Sequence, residues 1–137
     1  MILSLPLSVT IPRKTKEDKV VAINLNVTRN LHYHVLNQAK QMWTGLVNAA
    51  LMKVWYDDAD MAAPPYLLTY TVYPGSGRAF DIANVCAAVD KFTCDALQEL
   101  EIIKNDNYKY IPAVNYRFGG IDKENPRCEL RIERWEE

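Results

Sequence analysis

The chain reads as an α+β fold, a single compact domain in which a mixed β-sheet carries two main helices packed on it. Three observations predict this. Residues 36–56 and 81–100 repeat their apolar side chains at helical spacing. Cys128, Leu130 and Ile132 alternate with Glu129, Arg131 and Glu133, the period of a strand with one buried and one wet face. No internal repeat or low-complexity segment interrupts the chain.

Residues 3–11 and 20–27 look extended and flank the charged turn 13–19, which predicts an N-terminal hairpin at about 1–27. In residues 36–56, Leu36, Ala39, Lys40, Trp43, Leu46, Val47, Ala50 and Val54 follow i, i+3, i+4 spacing, so a helix is expected, with Trp43 and Trp55 as core aromatics. Pro64-Pro65 ends that unit. Residues 66–73 are rich in aromatic and β-branched side chains and predict a strand, closed by the turn Gly75-Ser76-Gly77. A second helix follows. Residues 108–118 and 127–135 are the last expected strands, joined across the turn signals Gly119-Gly120 and Asn125-Pro126.

A length of 137 residues with 49% hydrophobic content suits one core, so one domain over residues 1–137 is expected. No stretch approaches 18 consecutive apolar residues, and Met1-Ile2-Leu3-Ser4-Leu5 lacks the basic region and cleavage pattern of a signal peptide. The expectation is a cytoplasmic protein without a membrane partner. Cys86, Cys94 and Cys128 are odd in number and lack Cys-x-x-Cys spacing, which argues against a disulfide framework or a zinc ribbon. Cys86 and Cys94 read as buried small residues.

The net charge of −1 is unlike that of most nucleic-acid binders, but its distribution is uneven. Residues 20–56 contain no Asp or Glu and include Arg29, His32, His34, Lys40 and Lys53, while acids gather at Asp57, Asp58 and Asp60 and at the C-terminus. The acid-free stretch is a candidate face for phosphates. His32 and His34 are expected on opposite sides of a strand, which favours a structural or phosphate-contact role over metal ligation.

Residues 78–110 hold the candidate chemistry. With Asp81 as zero on a helical wheel, Ala88, Asp95, Asn84 and Lys91 fall at about −20°, −40°, −60° and −80°. Phe92, Val85, Ala96, Val89, Leu100 and Cys86 fall between about +20° and +140°, so the polar stripe borders the apolar one. Carboxylates and a lysine at the margin of a core suit metal-dependent phosphoryl chemistry, although a charged margin is also ordinary helix surface.

These residues resemble the RusA family of phage and bacterial Holliday junction resolvases. In that family a strand ending in a Pro-containing turn leads to Asp-x-Asp-Asn, then a helix with a lysine and an Asp-Ala-Leu signature, then a turn with a further aspartate. Here Tyr73-Pro74 precedes the turn, and Asp81-Ile82-Ala83-Asn84 resembles the first motif. Lys91 stands ahead of Asp95-Ala96-Leu97, and Asp106 resembles the last aspartate. The likeness runs with gaps from about Tyr66 to Trp135. Ala83 stands where the family has its second aspartate, and residues 84–95 are four longer than in the family's best-known member. If the helix begins at Asp81, Lys91 and Asp95 lie about 15 and 21 Å along its axis from that residue. Either the helix starts later, near Cys86, with Asp90 as a replacement carboxylate, or Lys91 and Asp95 act from outside the first shell.

The resemblance implies a RusA-like fold and a homodimeric, phage- or prophage-encoded endodeoxyribonuclease of the bacterial cytoplasm. Its expected action is to cut four-way or other branched DNA in recombination, repair or phage DNA processing. It implies Mg²⁺, with Mn²⁺ as a substitute, held by Asp81 and Asp106, with Lys91 and Asp95 completing the catalytic set and Asn84 and Asp90 supporting it. Asn26, Arg29, His32, Lys40 and Arg78 are the expected DNA contacts; the segment 26–33 resembles the family's N-terminal loop. Two alternatives stay open, a non-catalytic junction-binding or scaffold protein on the same fold, and a less selective flap or Y-junction nuclease.

Overall fold

Side-chain alternation builds the sheet. The computed structural model describes residues 1–55 and 63–136. In it, β1 (Ile2–Leu5), β6 (Arg127–Arg134), β4 (Tyr66–Tyr73) and β5 (Ala113–Phe118) form a four-stranded mixed sheet in the order β1-β6-β4-β5. The pairs β1/β6 and β6/β4 are antiparallel, with Leu3 opposite Leu130 and Tyr70 opposite Leu130. The pair β4/β5 is parallel, with Thr69 opposite Asn115. Parallel neighbours need a crossover, and helix α3 (Ile82–Glu99) supplies it. The α+β class and the single domain expected from sequence are both observed, since one buried cluster takes residues from β1, β2, β3, β4, β6 and both long helices, with Tyr116 of β5 packed against it.

Leu3, Leu5, Leu68, Tyr70, Val72, Cys128, Leu130 and Ile132 face that cluster. Helix α2 (Tyr33–Trp55) lays Ala39, Trp43, Val47 and Leu51 against it, and α3 adds Cys86, Val89, Phe92, Ala96 and Leu97. Trp43 is fully buried and its indole N–H donates to the Thr93 hydroxyl at 3.0 Å, so a buried polar pair joins the two helices. All three cysteines are buried and free. No helix among the described residues is long and apolar enough to cross a membrane.

Four expectations are corrected. The N-terminal hairpin exists, but as β2 (Ser8–Ile11) and β3 (Lys19–Ala22), with Ser8 opposite Ala22. β1 is a separate strand of the main sheet, because Pro6 has no N–H to continue a ladder. Residues 25–28 are not extended, since the Asn24 side chain caps a short third helix, α1 (Leu25–Thr28), by accepting from Val27 N at 2.9 Å. α2 starts three residues before the expected position 36. The last parallel strand starts at Ala113 and not at Tyr108, because residues 105–111 coil through turns. The Trp55 side chain, Tyr56 and the acidic Asp57, Asp58 and Asp60 lie outside the described residues.

Candidate active site

Asp81 occupies the N-cap of α3. Its backbone is extended at φ −85° and ψ 115°, and its side chain accepts from Ala83 N at 3.0 Å. Such a cap satisfies an amide that the helix leaves without a partner. The helix therefore begins at Ile82 and not near Cys86. Ten residues at about 1.5 Å each separate Asp81 from Lys91 by about 15 Å along the axis.

A second centre assembles farther along the same helix. Ala87, Asp90, Lys91 and Cys94 are spaced i, i+3, i+4 and i+7, hence on one side of α3. They line a concavity of about 300 Å³ that Asp106, Ile111 and Val114 close from the other side. What brings Asp106 there is the path of the chain after α3. Glu101 takes a positive φ of 60°, Ile102 N donates back to Leu97 O at 2.9 Å, and Ile103 is buried. The Asn105 side chain then accepts from Asn107 N at 3.1 Å, and the Asn107 side chain accepts from Lys109 N at 3.0 Å. Asp106 is the central residue of the first of these side-chain-to-backbone turns, which fixes its backbone.

Both oxygens of Asp90 are engaged. Cys94 Sγ donates to Oδ1 at 3.2 Å and the Tyr116 hydroxyl donates to Oδ2 at 3.2 Å. Burial first, and the Asp90 charge second, push the Cys94 thiol and the Tyr116 phenol far above their usual ranges, so both remain protonated donors. Lys91 Nζ lies 3.2 Å from Asp95 Oδ1. That hydrogen bond and the Asp95 charge hold its ammonium above the usual lysine range, with a smaller contribution from Asp106. Lys91 is a permanent cation here.

The first turn of α3 borders a wider concavity, about 770 Å³, lined by Asn24, Asn26, Arg29, Arg78, Asp81, Ala83 and Asn84 among others. Asn84 Oδ1 accepts from Asn26 N at 3.2 Å, which ties α1 to α3 and sets Arg29 beside the helix start. Ala87 lines both concavities, so the two form a continuous exposed stripe along one side of α3. One end carries Arg29 and Arg78, the other Asp90, Lys91 and Asp106.

The structure thus sorts the expected residues. Asp90, Lys91 and Asp106 come together. Asp81 and Asn84 are with Asn26, Arg29 and Arg78 in the wider concavity, so Asp81 and Asp106 line different hollows. Asp95 lines neither concavity; it lies 3.2 Å from Lys91 and 3.8 Å from Lys40. Lys40 also stands over the Phe92 ring, 5.8 Å from its centroid. His32 and His34 are not on opposite sides of a strand. They meet at the start of α2 with rings 5.0 Å apart and stacked, and His32 Nδ1 accepts from His34 N at 3.2 Å. Ala88, placed on the polar stripe by the wheel, is buried.

Tyr116 was missed by sequence reasoning, since its link to Asp90 spans 26 residues and depends on the β4/β5 register. Among the described residues no group of three or more His, Cys, Asp or Glu gathers as a metal site. Two carboxylates do line one hollow with room for water. Hard oxygens in that number suit Mg²⁺, which dehydrates reluctantly and leaves positions to water and substrate phosphate. Neither a protein-family model nor a curated protein matches the chain.

Proposed function

We propose that the protein is a divalent-metal-dependent endodeoxyribonuclease acting on four-way or otherwise branched DNA, as its resemblance to the RusA resolvases implies. The observation that carries the reading is the meeting of Asp90 and Lys91 with Asp106, which the chain delivers from a separate turn. In this reading Asp90 and Asp106 hold the ion. The chemistry a bound Mg²⁺ supplies is Lewis acidity toward a phosphoryl oxygen and acidification of water.

Lys91 offsets the charge that develops on the phosphate or the leaving oxygen, and Asp95 keeps it protonated and aimed. The Cys94 thiol and the Tyr116 hydroxyl fix the rotamer of Asp90, so the carboxylate needs little reorganisation when phosphate arrives. Arg29 and Arg78, with Asn24 and Asn26, bind the neighbouring backbone of the same strand along the stripe past Ala87. Asp81 starts the helix that carries Asp90 and Lys91, a positioning role at the far end of the stripe.

The test is a cleavage gel with pure protein, Mg²⁺ and three labelled substrates: a four-way junction, a flap and a linear duplex. Incision of the junction, with the linear duplex intact, is expected. Cutting flaps equally well replaces the junction preference with a broader branch preference. Tight junction binding without incision in Mg²⁺ or Mn²⁺ replaces the enzyme by a binding protein on the same fold.

A further inference from the structure

On the other side of Arg78 the surface changes character. Phe80, Ile82, Phe118 and Ile121 line a hollow of about 280 Å³. Phe80, Phe118 and Ile121 are 37%, 53% and 51% exposed, an apolar cluster of the kind that marks a contact site. The hollow is firmly built. Gly119 N donates to Val72 O at 2.9 Å and Asp122 N to Pro74 O at 2.8 Å, so the loop after β5 is bonded to the end of β4. Arg127 holds Asp122 at 2.8 Å, and at Gly119 any Cβ would run into the Tyr73 ring. The Phe80 and Phe118 rings stand 6.5 Å apart at 58°, a tilt at which neither covers the other.

The neighbourhood decides the occupant. Pro74, Ser76, Arg78, Ala79 and Phe80 line both this hollow and the concavity of Arg29 and Asn84, so the apolar hollow is continuous with a cationic one. An open aromatic ring beside arginines is the combination that takes a nucleobase and its phosphate together. We infer that the Phe80, Phe118 and Ile121 hollow receives a nucleobase of the DNA strand that has left its stack, while Arg78 meets the adjoining phosphate. This rests on the branched-DNA reading and supplies its selectivity. A branch point or single strand offers an unstacked base at little cost, whereas an intact duplex must first be unstacked. Phe80 lies just before α3, whose first residue, Ile82, is about 12 Å along the axis from Asp90, so the captured base belongs to a nucleotide some way along the strand from the scissile phosphate.

The experiment measures binding in Ca²⁺ to a four-way junction carrying 2-aminopurine beside the branch, to single-stranded DNA and to linear duplex. For Phe118→Ala, affinity for the junction and the single strand falls roughly tenfold, in the range that base–aromatic stacking supplies, with duplex affinity unchanged. Ile121→Ser acts in the same direction, and Phe118→Trp retains binding with its indole fluorescence quenched on DNA addition. Both replaced side chains are about half exposed, so circular dichroism should show folded variants. Equal losses on duplex and junction, or no loss in either variant, overturn the base-binding role while leaving junction cleavage standing. If wild type binds none of the three DNAs, both this inference and the proposed function fall. A variant that turns a dimer into a monomer with unchanged 2-aminopurine response assigns the hollow to a second copy of the chain and overturns the inference.

Discussion

Asp81 and Asp90 are both aspartates of one helix, and their surroundings give them different work. Asp81 spends a carboxylate oxygen on Ala83 N, and asparagine caps a helix as well as aspartate does. Asp81→Asn is therefore expected to keep both the melting temperature and junction cleavage. Asp106→Asn is expected to abolish cleavage while junction affinity is kept or improved, because a carboxylate beside phosphate has been neutralised. A gel on which Asp81→Asn is dead and Asp106→Asn is active would reverse the assignment. Ala87 is the position from which the site can be strengthened, since it lies one turn before Lys91 and borders the Asp106 hollow. Ala87→Asp adds a third carboxylate and should lower the Mg²⁺ concentration for half-maximal cleavage several-fold. A metal titration that needs more Mg²⁺ than wild type removes Asp90 and Asp106 from ligation. Asp106 was legible in the sequence through the order of motifs. Asp90 was legible as a replacement carboxylate, but its meeting with Tyr116 and Asp106 was not, because they come beside it only after β5 has paired with β4 and the turn at 105–109 has formed.

At the level of elements, helices and strands were readable wherever a period ran unbroken, as in β4, α3 and β6. The errors fall where one side chain redirects the backbone. Pro6 splits an apolar run into two strands of different sheets, and Asn24 turns an apparent strand into α1. Asn105 and Asn107 hold the chain in turns up to Pro112, which delays β5. Long-range polar pairs were beyond periodicity altogether, and Trp43 with Thr93 is the clearest. Both are fully buried, so Thr93→Val keeps the shape and leaves the indole N–H without an acceptor. Chemical denaturation should show a loss of about 1–3 kcal/mol; an unchanged midpoint would mean that another acceptor takes over. The loop that carries Ile121 has its own pH dependence. The Asn125 amide, and then Arg127, hold the Asp122 carboxyl below its ordinary value of 3.8. A depressed folded-state pKa contributes stability that is present above that value and is lost as pH falls through the folded one. Asp122→Asn should accordingly melt below wild type at neutral pH, and the gap should close in melts taken well under pH 3.8. A gap that widens in acid would contradict the Asp122–Arg127 linkage.

For the whole molecule, a net charge of −1 does not advertise a nucleic-acid ligand, and it is the placement of charge that supports one. The Arg29 and Arg78 end of the stripe, the Lys91 end and the apolar hollow adjoin one another through shared lining residues, Ala87 on one side and Arg78 and Phe80 on the other. A single chain has one such stripe, whereas resolving a four-way junction takes two incisions in strands related by two-fold symmetry. One catalytic centre cannot face both strands at once. A closed two-fold dimer presents two identical centres by construction, and this is the assembly that the resemblance implies. Light scattering at micromolar concentration should therefore give about twice the 15.7 kDa chain mass. The functional counterpart is a cruciform in a supercoiled plasmid. A first nick releases the supercoiling that sustains the cruciform, so only an enzyme that cuts both strands within the lifetime of one complex yields linear molecules. A dimer is expected to give linear product from the earliest time points, and mixing in an excess of Asp106→Asn subunits should divert the product to nicked circles. A strict monomer by scattering that still makes linear product would require one centre to turn over twice on a bound junction, and the two-fold assembly would have to be abandoned.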